Sequence, residues 1–160
     1  MATAFFDHIQ IRGSRAFINL TRVALECLRS THCGAEIWQL LTIIRKARRS
    51  GVQAHQAVPV ISVGITVWTS PMIWYASGIA HEAFHIKLYR EARARARGHE
   101  PEITTWAGVA GEKKCLEFQL HVLEELRAEA HFLEYVKDLM KSPDYQGDPF
   151  SAKDYWRRDW

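Results

Sequence analysis

The sequence predicts an α+β domain, and three observations carry that expectation. Apolar residues recur at helical spacing in the N-terminal third, a charge-free stretch rich in Val, Ile and Thr follows from Val58, and a long helical pattern starts after Gly111. The length of 160 residues suits one domain spanning 1–160. With 48% hydrophobic and 24% charged residues, the composition is that of an ordinary globular chain and not of a disordered one.

Taken in order, Ser14 is placed to cap a helix running through Ser30, with Phe17, Leu20, Val23, Ala24 and Cys27 along one side. Cys33-Gly34 breaks it. A second helix carries Ile37, Leu40, Leu41 and Ile44 on one face and ends in Arg45, Lys46, Arg48 and Arg49, cations that suit the carbonyl end of a helix. Ser50-Gly51 stops it. Residues 1–57 thus read as an N-terminal helical hairpin. Val58–Trp68 reads as one strand and Met72–Ala76 as a second, joined at Ser70-Pro71, which makes a small, mostly antiparallel sheet. A third helix spans Gly78 to Arg97, His99–Thr105 forms a loop, and a long helix covers Glu112 to about Lys141. The sheet and these two helices fill 58–141, and Ser142–Trp160 is an aromatic and polar tail. Trp106, Trp156 and Trp160 read as packing residues in preference to covers of a cleft.

Several classes of function are disfavoured. A formal charge of +3 is too mild to argue for nucleic acid, which demands basic residues concentrated on one face. The run Arg45-Lys46-Ala47-Arg48-Arg49 and the alternating Arg90, Arg93, Arg95 and Arg97 read as solvated helix ends. Val58–Ala80 has the length of a membrane span, but two prolines, two glycines and several hydroxyl residues interrupt it, so no span is expected. The first residues lack the pattern of a secretory signal. Cys27, Cys33 and Cys115, odd in number and irregularly spaced, read as thiols in a reducing, cytoplasmic setting.

The chemistry lies in His81-Glu82-Ala83-Phe84-His85. On a helix, His81 and His85 project from one face a turn apart, and two imidazoles at that spacing can hold one Zn2+. Glu82 then stands beside the ion, where a carboxylate can take a proton from an activated water. With 8 His in the chain, such a pattern arises by chance in roughly 3% of shuffled sequences, so its setting on a helix entered from an apolar strand adds weight. A catalytic zinc takes a third protein ligand. Among Glu112, Glu117, His121, Glu124, Glu125, Glu129 and His131, helical geometry selects Glu112, which heads an inward stripe continued by Cys115, Gln119, Val122 and Leu126. Glu117, turned by about 140° from Glu112, joins His121 and Glu124 on a solvent face.

His81-Glu82-xx-His85 followed by Glu112-Lys113-Lys114-Cys115 resembles the gluzincin metallopeptidases, above all their compact single-domain minigluzincin forms. The resemblance covers roughly Val58 to Leu126, with Cys115 at a position where the family has a small residue. It implies a zincin-like fold, with the HExxH helix packed on the glutamate helix, and a zinc-dependent hydrolase. His81, His85 and Glu112 would be its metal ligands and Glu82 its general base. The substrate it implies is a peptide or protein segment, paired in extended form with a sheet edge formed by Val58–Trp68 or Met72–Ala76. The metzincin pattern does not fit, because Glu91 stands where its third His would be. Tyr75, Tyr89, His99, His121 and His131 are all chemically able to stabilise an oxyanion, and the sequence does not choose among them. The alternative is a zincin-shaped module that binds zinc without cleaving anything and serves in protein interaction or sensing.

Overall fold

Ile9 and Ile11 alternate with Gln10 and Arg12, which gives a strand one apolar face. Asp7, at φ 51°, turns the preceding chain back onto it, since Asp tolerates the left-handed region better than most residues. The computed structural model, which describes residues 1–141, accordingly opens with a hairpin, β1 (Ala2–Phe6) paired antiparallel with β2 (Ile9–Gly13). The expectation of helices alone across 1–57 missed it, because each strand is only five residues long.

Helix α1 (Arg15–Arg29) starts where expected, with Ser14 Oγ accepting from the Phe17 amide at 3.3 Å. It buries Phe17, Ala24, Leu25 and Leu28 completely, each large side chain contributing about 1.5–3 kcal/mol of apolar transfer. The second half of the expected helical hairpin is not a helix. Helix α2 (His32–Ile37) and one 3-10 turn (Trp38–Leu40) end at Leu41, and β3 (Ile43–Lys46) follows. Thr42, Ile43 and Ile44 are β-branched, and such a run favours the pleated backbone once a sheet is there to receive it. The basic residues assigned to a helix end therefore leave the sheet instead: Arg45 Nε donates to Ser62 Oγ at 3.0 Å, and Lys46 Nζ lies 5.0 Å above the Trp68 ring.

The short strand β4 (Gly51–Gln53) precedes β5 (Val60–Val63), so only four residues of the Val58–Trp68 stretch are extended. Gly64 then caps the single-turn helix α3 (Ile65–Trp68). Met72–Ala76 is not a strand either. Pro71 sits at the N-cap of α4 (Met72–Arg95), which runs unbroken for 24 residues through the motif. Proline belongs at a helix start, where its missing N–H costs nothing.

The strand order is β1-β2-β3-β5-β4. The outer pairs are antiparallel, but β2 with β3 and β3 with β5 are parallel. The expected mostly antiparallel sheet is thus a mixed one, because α1 carries the chain across the sheet between β2 and β3 and returns it in the same direction. Ala76, Ala80 and Ala83 are fully buried, and their small size lets α4 lie close to its neighbours. It packs on α1, β4, β5 and α5 (Gly108–Glu125).

The long helix expected from Glu112 to Lys141 is broken in two. Arg127, at φ 54°, ends α5, and α6 (Ala130–Lys141) folds back so that Val136 meets Leu116 and Leu123. The described residues therefore form an α+β fold of six α-helices and a five-stranded mixed sheet. No helix among them is long and apolar enough to cross a membrane. The tail Ser142–Trp160, with Trp156 and Trp160, lies outside the described residues.

Candidate metal centre

Helices α4 and α5 pack along each other, and buried polar side chains meet within their contact. There α4 contributes His81, Glu82 and His85, and α5 contributes Glu112, Cys115 and Gln119, all buried. Glu112 Oε2 lies 3.3 Å from His81 Nε2, and Glu112 Oε1 lies 3.3 Å from His85 Nε2. The carboxylate chosen from helical spacing thus faces both imidazoles of the motif. Glu117, His121 and Glu124 are exposed, as the rotation about α5 requires.

Supporting hydrogen bonds fix which nitrogen each ring presents. Ser77 Oγ donates to the Trp74 carbonyl at 2.9 Å and accepts from Gln119 Nε2 at 3.2 Å. That orients the amide so that Gln119 Oε1 faces His81 Nδ1, at 3.1 Å. His85 Nδ1 stands 3.1 Å from the Trp106 carbonyl, which can only accept. Both rings therefore carry hydrogen on Nδ1 when neutral and turn the Nε2 lone pair toward Glu112. Ligating histidines are held in this way by a partner on the far nitrogen.

The approach of Trp106 depends on Gly111. A Cβ there would stand 2.7 Å from both the carbonyl carbon and the oxygen of Trp106. Gln119 was legible in the sequence only as a member of the inward stripe, and the Trp106 carbonyl left no signal in it.

The electrostatics match the geometry. Burial raises the Glu112 carboxyl, but when the ring nitrogens facing it carry protons instead of lone pairs, His81 and His85 outweigh burial and hold the group well below the ordinary carboxylate range. For His85, burial lowers the pKa while Cys115 and Glu112 raise it, and the net shift is strongly upward. Burial pushes Glu82 up; His81 and His85 oppose this, and Glu112 adds to it. Burial likewise raises Cys115, against the pull of His85. Neutral rings would aim two lone pairs at a carboxylate in a dry setting, an arrangement that a bound cation between them would satisfy. Glu112 Oε2 is buried and makes no hydrogen bond, which leaves it available to one.

His81, His85 and Cys115 form a buried group able to bind a metal ion, with one donor atom from each lying within 4.8 Å of the others. Imidazole and thiolate suit zinc, and carboxylate is an accepted partner. The donors thus fit the ion expected from the sequence. The sequence reading, however, placed Cys115 only as a small packing residue.

A cavity of about 20 Å³, bordered by Ser50, Val63, Trp74, Gly78, His81 and Glu82, adjoins the cluster. It has room for about one water molecule. Of the five side chains able to stabilise an oxyanion, Tyr75 alone lines this cavity. Tyr75 is fully buried with its hydroxyl 2.7 Å from Thr21 Oγ1, and Tyr89 donates to Glu100 at 2.8 Å. His99, His121 and His131 are exposed. No protein-family model, curated protein or solved structure matches the chain.

Proposed function

We propose that this protein is a zinc-dependent hydrolase of peptide bonds, of the zincin-like, gluzincin kind. The observation that carries the reading is the convergence of His81 and His85 from one helix with Glu112 from another, both rings being tautomerically fixed. These three would hold the ion. A zinc ion there would polarise a scissile carbonyl and bring the pKa of water down to about 7. Glu82, adjacent in sequence to His81 and bordering the small cavity, takes the proton of the attacking water and delivers it to the leaving amine.

The sheet edge that would receive a substrate is not the one expected from the sequence. Strand β5 is interior, and Met72–Ala76 is helical. The free edge on this side is β4, antiparallel to β5, and Ser50, immediately before it, borders the same cavity as His81 and Glu82. An extended peptide adds there through main-chain hydrogen bonds.

The test uses the full chain loaded with zinc and a mixed peptide library read by mass spectrometry. Cleavage should stop on chelation and in Glu82→Gln, while that variant still binds one zinc per chain. Cleavage retained by Glu82→Gln excludes the mechanism. A second reading, a zinc-binding module that cleaves nothing, is favoured by the burial of the cluster, where His81, His85 and Glu112 are only 2–6% exposed. A wild-type chain that binds zinc and leaves the library intact establishes that reading instead.

A further inference from the structure

Cys115 lies three residues after Glu112 on α5, close to one helical turn, and both side chains face α4. It is fully buried. Its Sγ is within 4.8 Å of a ring nitrogen of both His81 and His85. Thiolate is among the strongest protein ligands for zinc, at about 2.3 Å. Cys27 and Cys33, in contrast, are half-buried and belong to α1 and α2.

We propose that Cys115 is a fourth protein ligand, so that the ion is enclosed by two imidazoles, one carboxylate and one thiolate. The proposal rests on the reading of His81, His85 and Glu112 as ligands, and it changes what that site does. Four protein donors make a closed site, whereas catalytic zinc keeps one position for water or substrate. In the closed state the sulfur occupies the position that water needs, and hydrolysis requires its displacement. Forming the sulfur–metal bond releases the thiol proton to solvent, and no electron changes hands.

Cobalt(II) tests this in the reduced, metal-free full chain. One equivalent should give the visible bands of a four-coordinate ion together with a near-ultraviolet thiolate-to-cobalt charge-transfer band. Cys115→Ser should lose the charge-transfer band and keep the visible ones, while the Cys27→Ser/Cys33→Ser double variant keeps both. Zinc affinity in Cys115→Ser should fall by more than the roughly 10–100-fold typical of losing a supporting hydrogen bond. X-ray absorption of the zinc-loaded wild type needs no variant and should find one sulfur at about 2.3 Å. Visible bands with no charge-transfer band, and only nitrogen and oxygen around zinc, overturn the role of Cys115 while leaving the other three ligands standing. A wild-type chain that takes up neither metal overturns both readings.

Discussion

Helix α5 carries a carboxylate held in its charged form toward each of its ends, and the two are held by different means. Near the end of the helix, the exposed Glu125 accepts from the backbone amides of His32 and Cys33 at 2.5 and 3.2 Å, fastening the start of α2. Near the beginning, Glu112 is 6% exposed and faces two imidazoles. Glu125 meets donors that would otherwise lack partners, so it serves the fold. Glu112 loses its hydration to reach groups that present lone pairs, and such an arrangement does not stabilise a fold by itself. A cation bound between them would account for it. Between the two ends, Phe118 stacks on Phe84 with ring centroids 4.3 Å apart, an apolar level in the contact of α4 with α5.

The comparison is broken most severely at Glu112. Glu112→Ala should reduce bound zinc from one per chain to none, and zinc should no longer raise the melting temperature. Elemental analysis and thermal unfolding with and without the metal check this, and an unchanged stoichiometry shows that another group is the ligand. Phe118→Ala comes next and should act on stability, costing about 3–5 kcal/mol while each folded chain still binds one zinc. Urea unfolding combined with metal analysis separates the two effects. Should zinc vanish with stability, the polar and apolar levels of α5 are not independent.

Smaller effects sharpen the picture of how the rings are aimed. Gly111→Ala pushes the Trp106 carbonyl away from His85, because the clash at 2.7 Å is with backbone. Zinc affinity should fall roughly 10–100-fold, measured by competition with a chelator. Gln119→Leu removes the acceptor for His81 and should fall near the lower end of the same range; equal affinity to wild type would show that its hydrogen bond does not position the ring.

Glu125→Ala should have the least effect, about 0.5–1.5 kcal/mol, with zinc binding intact. Slight burial raises this carboxyl, but hydrogen bonds from Cys33 and His32 outweigh it and the net shift is downward. Its contribution is therefore complete above the unfolded-state value of about 4.3 and disappears as pH falls through the lower folded value. Exposure keeps it small. The stability gap between wild type and Glu125→Ala, followed by urea midpoints, should close on acidification and stay open at neutral pH.

The helices that bear the cluster were legible because their information is local. The four-residue spacing of His81 and His85 places them on one face wherever the helix sits, and the stripe of Glu112, Cys115, Gln119 and Val122 becomes the buried side of α5. The sheet was not legible in the same way. Ile43-Ile44 satisfies a helical pattern as well as an extended one, and the choice falls to β2 and β5, from residues 9–13 and 60–63, which flank it. Met72–Ala76 carries strand-like residues yet continues a helix already set by Pro71 and the motif. Arg127 gave no warning of a break, because a left-handed residue other than glycine is made tolerable by the packing of α6 on α5.

By itself, then, the sequence determined which donors exist and which share a helical face, since 3.6 residues per turn needs no partner to operate. Tertiary structure alone decided that Gln119 and the Trp106 carbonyl anchor the far side of each ring, that Cys115 comes within 4.8 Å of both histidines, and that β4 forms the free edge nearby. Those relations join segments 20 to 40 residues apart, and only the packing of α4 between the sheet and α5 brings them to contact distance.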